Sequence, residues 1–269
     1  MACQAVSTLY GLTDYWIAQG RPREGVLKLE PHSTVWGESM SYERRPGPRD
    51  RYHWVREWAP MATFQLVDSV LFIVFRGTVT NHDWSNNFRF PSRRFEAAGE
   101  SFGEVHDGFG DCYESMREDL MESMGVLIGW ANPARVVIAG HSLGGAVATL
   151  AYADLSQRIR AHPVSGIVFG SPRVGSPGFA QAFKSLPANA TAFTRFEIER
   201  DPVPKLPPAG VLGVWRFDHV GRVIRLDIDN GSDRANHVIS AYRTAIEGQP
   251  VDGAAVGDGL TGSQPQCIF

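Results

Sequence analysis

One serine stands in a setting that could turn its hydroxyl into a nucleophile. Ser142 is the centre of the motif Gly-His-Ser-Leu-Gly at residues 140–144, after an apolar run and before an alanine-rich one. This order predicts a strand, a sharp turn and a helix, with the serine at the apex. Both glycines are expected because a Cβ would collide where strand and helix fold back on each other. The chemistry predicted for Ser142 is nucleophilic attack through a covalent intermediate.

Such a serine needs a base, and three histidines follow it in the chain. His162 comes after the predicted helix and on the wrong side of the sheet. His237 follows a polar loop and opens a helix, so it could reach the serine and is predicted to be the base. His219 is the second candidate for the base, and its alternative role is a structural hydrogen bond near the site.

An acid that orients the base should lie between the serine and the histidine in this architecture. The carboxylates between Ser142 and His237 are Asp154, Asp201, Asp218, Asp227, Asp229, Asp233, Glu197 and Glu199. Asp154 lies further along the predicted helix that follows Ser142, and it faces away from the turn. Asp201 ends a predicted strand, and two prolines stiffen the loop after it. We therefore expect Asp201 to be the acid, although a turn-forming Asp-Pro is the alternative.

The negative charge on the substrate oxygen would need two hydrogen-bond donors. The N–H of Leu143 begins the predicted helix and points towards the serine. A second donor should come from a loop after an earlier strand. Thr78 fits this position, with Gly77 allowing close approach of the backbone. The alternative is that Thr78 merely ends its strand.

Alternating strands and helices from about residue 62 to 246 must position these residues. The alternation predicts an α/β fold with a mostly parallel sheet and helices on both faces. Thr78, Ser142 and Asp201 would then share the carboxyl edge of that sheet. Residues 20–58 can be placed only as loop with short elements, and residues 79–104 show no long periodicity. We expect one domain over residues 1–247 and a Gly/Pro-rich tail over 248–269.

The composition of the 269-residue chain narrows the possible function classes. A net charge of −3 predicts no attraction to nucleic acid or to an anionic membrane. No apolar run approaches the roughly 20 residues that a transmembrane helix needs. Three cysteines do not make a disulfide framework and favour a reducing compartment. The start shows no secretory signal, so the chain as written is expected in the cytoplasm, or outside the cell if a leader has been removed.

Two parts of the sequence resemble metal-binding sites only weakly. The acidic stretch at residues 227–233 has the wrong glycine spacing for a calcium loop and no closing glutamate. His106 has no second ligand at metal-binding spacing and is expected to form either a buried hydrogen bond or one near the site. We therefore expect neither a metal nor a cofactor.

Taken together, residues 62–246 resemble the fungal-type triacylglycerol lipases, the class 3 lipases. The motifs that carry the resemblance are Phe75-Arg76-Gly77-Thr78, Asp83-Trp84, Asn87, Val105-His106-Asp107-Gly108-Phe109, residues 140–145, Phe169-Gly170-Ser171-Pro172-Arg173-Val174-Gly175, Asp201-Pro202-Val203-Pro204, Leu206-Pro207, His219-Val220-Gly221 and His237.

The resemblance implies an α/β-hydrolase fold and hydrolysis of carboxylic esters by a Ser142–Asp201–His237 triad. It places the oxyanion hole at Thr78 and Leu143 and a short lid over about residues 81–90. Within the lid, Trp84 and Phe88 would contact substrate. Acylglycerols or other fatty esters are the implied substrates, with transient contact to a lipid interface.

Three alternatives stay open at this point. The enzyme could be a phospholipase A1 or an esterase for short-chain or aromatic acids. In a different class, the fold could be a catalytically silent binding module. The sequence indicates no oligomeric state.

Overall fold

Strands and helices alternate along the chain in a computed structural model, which describes residues 1–18, 34–45, 51–77, 91–210 and 217–248. In chain order the elements are α1 (Ala2–Ala18), β1 (Thr34–Arg45), β2 (Arg51–Val67), β3 (Val70–Phe75), β4 (Ser92–Ala97), β5 (Glu100–His106), α2 (Asp107–Ala131), β6 (Arg135–His141), α3 (Leu143–Arg158), β7 (Val164–Phe169), α4 (Pro177–Lys184), β8 (Ala190–Ile198), β9 (Arg222–Leu226), α5 (Asp233–His237) and α6 (Ile239–Glu247).

Seven of the described strands form one sheet, in the order β1-β2-β3-β6-β7-β8-β9. The first three strands pair antiparallel, and every pair from β3 to β9 is parallel. Asp68 and Ser69, with φ of 48° and 63°, make the tight turn between β2 and β3. The predicted mostly parallel sheet is therefore confirmed.

Both faces of the sheet are buried, as β3 shows most simply. All six of its side chains are buried, and they alternate between two hydrophobic clusters. Leu71, Ile73 and Phe75 pack with residues of α2, α3 and α4 on one face. Phe72 and Val74 pack with residues of α1 and α6 on the other. This alternation explains the continuous apolar run of β3, because neither face meets water.

The expectation of loop over residues 20–58 is wrong for 34–45 and for 51–58. There β1 and β2 form a long hairpin that pairs from Thr34↔Thr63 to Arg45↔Arg51. Charged residues interrupt the apolar alternation in these strands, so the usual sequence signal is missing. The hairpin also rests on α2, because the N–H of Glu38 donates to Ser115 Oγ at 2.8 Å.

One smaller expectation also differs from the structure. Within residues 79–104, where the sequence shows no long periodicity, residues 92–104 belong to the separate hairpin β4–β5, whose turn uses the positive φ of Ala98 and Gly99. Phe217 lies outside the named strands, and its neighbour Asp218 makes an isolated bridge to Gly175. The last described strand, β9, ends at Leu226.

Several predicted features fall outside the described residues. They are Thr78, residues 81–90 with Trp84 and Phe88, and residues 249–269 of the tail. The single-domain boundary at residue 247 stays a prediction. Among the helices that the structure does describe, none has the length and apolar character to cross a bilayer.

Candidate active site

Ser142 occupies the sharp turn between β6 and α3. Its backbone has φ 57° and ψ −128°, a combination that side-chain-bearing residues adopt only under strain. A Cβ added to Gly140 would stand 2.1 Å from the carbonyl oxygen of Gly144, and one on Gly144 would stand 2.4 Å from that of Phe75. The motif glycines are therefore required by backbone crowding, as the sequence predicts.

The structure brings the three predicted residues into one hydrogen-bonded line. His237 Nδ1 lies 2.8 Å from Asp201 Oδ2, and His237 Nε2 lies 2.8 Å from Ser142 Oγ. A carboxylate can only accept, so the proton of the neutral ring sits on Nδ1, and Nε2 accepts from the serine hydroxyl. Asp201 is 0 % exposed, whereas the His237 side chain keeps 15 % of its surface open.

Three donors hold the Asp201 carboxylate in place. His237 Nδ1 and the Tyr242 hydroxyl, at 2.6 Å, donate to Oδ2, and the Val203 N–H donates to Oδ1 at 2.9 Å. Burial and the charge of Asp201 raise the pKa of Tyr242 well above its usual value, so its hydroxyl stays protonated and remains a donor. The turn that carries Asp201 follows β8 and closes with a bond from its N–H to the carbonyl oxygen of Ile198 at 2.9 Å.

His237 is the last residue of α5, and its loop is tied down just before it. The side chain of Ser232 caps α5 by accepting from the N–H of Ala235 at 3.2 Å. The buried Asn236 accepts from the N–H of Asn230 at 2.8 Å. These bonds restrict the backbone that delivers the imidazole to Ser142.

Gly170 leaves the room in which acid and base meet. Its φ is +54°, and an added Cβ would stand 2.9 Å from Asp201 Oδ2, 3.0 Å from the Tyr242 hydroxyl and 3.2 Å from His237 Nδ1. Any side chain here would push the carboxylate and the imidazole apart. The sequence offered only a glycine at the end of a buried strand as a signal.

The alternatives His219 and Asp154 form hydrogen bonds with groups other than the triad. His219 Nε2 donates to the carbonyl oxygen of Pro204 at 2.8 Å. Burial, with the nearby cations Arg195 and Arg173, lowers the pKa of His219 to about 3. Asp154 has no exposed surface and accepts from four groups on β4's turn, α2 and α3. These groups are the Ala98 N–H, the Tyr113 hydroxyl, Arg117 and Arg158.

On the oxyanion side, the first turn of α3 faces Ser142. The N–H groups of Gly145 and Ala146 donate to the carbonyl oxygen of Ser142 at 2.9 and 3.2 Å. The N–H of Leu143 is among the first-turn donors that helix geometry leaves without an intrahelical acceptor. Thr78 lies outside the described residues, but the chain leading to it passes close by. A Cβ on Gly77 would stand 2.9 Å from the Cβ of Ser142.

Sequence reasoning missed three side chains that contact these residues: Tyr10, His141 and Tyr242. Tyr242 lies in a helical apolar pattern that gives no sign of its bond to Asp201. His141 lies next to Ser142 in the serine motif, and that position was a usable signal. Tyr10 had none, since it lies 131 residues before its partner His141. Across the described residues, no group of three His, Cys, Asp or Glu side chains is arranged to hold a metal ion.

The motifs and the site can be compared with known proteins. A family model described as Lipase (class 3) matches residues 72–211, slightly more than half of the chain. Phospholipase A1 EG1, chloroplastic/mitochondrial, from Oryza sativa subsp. indica is 30% identical over 224 residues, which are 70% of this chain and 51% of that protein. A lipase of Rhizomucor miehei is 33% identical over 157 residues, which are 57% of this chain and 41% of that protein.

A solved triacylglycerol lipase, whose catalytic centre is formed by a serine protease triad, has a similar structure. Its TM-score is 0.52 at 28% identity, over 71% of this chain and 67% of that chain. With the parallel sheet described above, this likeness confirms the predicted α/β-hydrolase fold. The chain spans about half the length, or less, of the curated relatives named above.

Proposed function

The chain belongs to the class 3 lipase family, and from that premise we propose that it hydrolyses carboxylic esters through an acyl-enzyme formed on Ser142. One observation carries the proposal: the unbroken hydrogen-bonded line from buried Asp201 through His237 to Ser142, with both distances at 2.8 Å. A nucleophile, a base and an orienting acid in this geometry are what acyl transfer requires.

In the first half of the reaction Ser142 Oγ attacks the ester carbonyl carbon. Its proton passes to His237 Nε2, and the carbonyl π electrons move to the oxygen. His237 then gives the proton to the departing alcohol as the carbon–oxygen bond breaks, which leaves the acyl group on Ser142. Asp201 holds the ring in the required tautomer and stabilises the imidazolium that forms between these steps.

In the second half a water molecule takes the place of the alcohol. His237 removes its proton, the hydroxide oxygen bonds to the acyl carbon, and the serine oxygen leaves and takes the proton back. The products are one carboxylic acid and one alcohol. No group outside the protein, apart from water, is needed to balance the reaction.

We assign stabilisation of the tetrahedral oxyanion to the N–H of Leu143 and to Thr78. The position of Leu143 at the start of α3 supports the first assignment. The second rests on Gly77, which packs against Ser142 one residue before Thr78. Residues 81–90, with Trp84 and Phe88, remain our proposed lid, within one domain over residues 1–247.

For the substrate we propose acylglycerols or similar fatty esters, as in the lipase relatives. A phospholipase A1 activity is the second candidate, because a relative of that name aligns with 70% of this chain. An esterase for short-chain or aromatic acids is the third, and a silent binding module is the alternative outside enzymes.

Hydrolysis of matched substrates tests these proposals. The substrates are trioctanoin emulsion, phosphatidylcholine vesicles, and p-nitrophenyl esters from acetate to palmitate, with Ser142→Ala as the inactive control. We expect Ser142-dependent release of fatty acid from trioctanoin. Hydrolysis of phosphatidylcholine alone would indicate a phospholipase in place of an acylglycerol lipase. Hydrolysis of p-nitrophenyl acetate alone would indicate an esterase for short-chain acids. No hydrolysis of any ester, with no fluorophosphonate adduct on Ser142, would favour the silent module.

A further inference from the structure

Two side chains behind the triad continue its hydrogen bonding to a distant part of the chain. Tyr10, on α1, places its hydroxyl 2.8 Å from His141 Nδ1. The other ring nitrogen, His141 Nε2, lies 2.6 Å from the main-chain carbonyl oxygen of His237. The N–H of Gly77 donates to the Tyr10 oxygen at 3.1 Å. Four residues from four separate segments are thus joined in one line.

The acceptors and donors fix the direction of every bond in this line. A carbonyl oxygen can only accept, so His141 carries its proton on Nε2 and donates to His237. The lone pair on Nδ1 then accepts from the Tyr10 hydroxyl, whose oxygen accepts from Gly77. Each donor in this line therefore meets one acceptor. Such a satisfied buried network has one stable arrangement.

His141 is suited to stay neutral in this line. Burial, and the neighbouring imidazole of His237, lower the pKa of His141 well below its usual value. The two ring centroids are 4.8 Å apart. A neutral His141 places no second positive charge beside His237 when that ring accepts the serine proton. Burial also raises the pKa of Tyr10 to about 12, so its hydroxyl keeps the proton that it donates.

Both ends of the line reach groups assigned above to the reaction. One end holds the backbone of His237, the proposed base. The other holds Gly77, one residue before the proposed oxyanion donor Thr78. An added Cβ on Gly77 would stand 2.5 Å from the Tyr10 hydroxyl, so the two are in close contact. The line therefore spans the two sides of Ser142.

We propose that Tyr10 and His141 are positioning residues for ester hydrolysis, which hold the base and the oxyanion loop at a fixed separation across Ser142. This inference rests on the proposed function. Neither residue touches the reacting atoms; each acts through the backbone of His237 or Gly77. An N-terminal helix residue is thereby part of the support for the chemistry.

Tyr10→Phe tests the inference, because it removes one hydroxyl and keeps the ring. Tyr113→Phe is the matched control: this buried tyrosine donates to Asp154 at 2.8 Å, far down α3 from Ser142. We expect Tyr10→Phe to lower kcat by about 10- to 100-fold, as loss of a small positional constraint can do. KM should stay within about twofold, because substrate contacts are unchanged. The control should lose stability but keep kcat.

His141→Leu is the second variant, and it also carries the test if Tyr10→Phe does not fold. Leucine offers neither an N–H donor to the His237 carbonyl oxygen nor an acceptor to the Tyr10 hydroxyl, so both bonds of His141 are lost. We expect a similar fall in kcat and in the rate of Ser142 labelling by a fluorophosphonate. The double variant should fall no further than the single ones, because both break the same link.

Wild-type kcat in both variants would overturn the inference, as would an equal loss of kcat in Tyr113→Phe or additive losses in the double variant. These results differ from a failure of the proposed function. In that case the wild type itself would hydrolyse no ester, whereas an active wild type with unaffected variants contradicts the positioning role alone.

Discussion

Replacing His219 with glutamine should make the fold less sensitive to acid and leave ester hydrolysis intact. The ring Nε2 of His219 donates to the Pro204 carbonyl oxygen at 2.8 Å. A glutamine side chain has an N–H at a similar reach, so it can keep this bond. Unlike histidine, it takes up no proton as the pH falls.

The size of the effect follows from the histidine's own titration. Burial first, and then the charges of Arg195 and Arg173, lower the pKa of His219 from 6.5 to about 3. Between those values the unfolded chain binds a proton that the folded chain does not. The free energy of unfolding therefore falls with falling pH, by up to about 1.4 kcal/mol per unit. From pH 8 to pH 5 this one histidine removes about 2 kcal/mol.

Urea denaturation of the wild type and His219→Gln at pH 8 and pH 5 measures this difference. The variant should lose about 2 kcal/mol less than the wild type over that interval. His141, whose pKa is also lowered, contributes equally to both proteins and cancels. Ester hydrolysis at pH 8 should be unchanged. Equal pH dependence would refute the linkage, and loss of hydrolysis would mean that His219, and not His237, serves the serine.

Three further substitutions test two contacts at the site and one buried ion cluster remote from it. Tyr242→Phe should lower the free energy of unfolding by about 2 kcal/mol, because it removes a hydrogen bond to the charged Asp201. An unchanged free energy of unfolding in urea denaturation would contradict this. Gly170→Ala should lower kcat by about 100-fold, because its Cβ would stand 2.9 Å from Asp201 Oδ2; wild-type kcat would show that the site yields. Asp154→Asn should cost about 3–5 kcal/mol at neutral pH. Burial opposes ionisation there, but bonds from Arg117 and Tyr113 outweigh it and keep the pKa of Asp154 below 3.8. The stability lost in Asp154→Asn should therefore shrink below about pH 4. A loss that stays constant down to pH 3 would contradict this prediction.

The alternation of strands and helices could be predicted because many elements carry a strong local signal. For example, β3 is apolar at every position because both faces are covered, and α4 begins at Ser176 and Pro177, whose cap and N1 roles are local. The long β1–β2 hairpin lacked such a signal. Its pairing depends on a backbone ladder and on contact with α2, which no short window of sequence contains.

The same distinction separates the site residues. Ser142 could be predicted because its turn demands glycine on either side. Asp201 and His237 followed from chain order and from loops at strand ends. Tyr10 could not be found in this way, since its contact with His141 depends on how α1 packs across the sheet. The role of Gly170 likewise appears only once Asp201 and His237 are placed around it.

The most direct test of the proposed chemistry is covalent labelling of the wild type and Ser142→Ala with a fluorophosphonate, located by peptide mass spectrometry and paired with trioctanoin hydrolysis. We expect one adduct, on Ser142, and a kcat for Ser142→Ala lower by about 10⁶-fold. Asp201→Asn and His237→Gln should label slowly at the same serine. An adduct on another residue, or hydrolysis that survives in Ser142→Ala, would contradict the account.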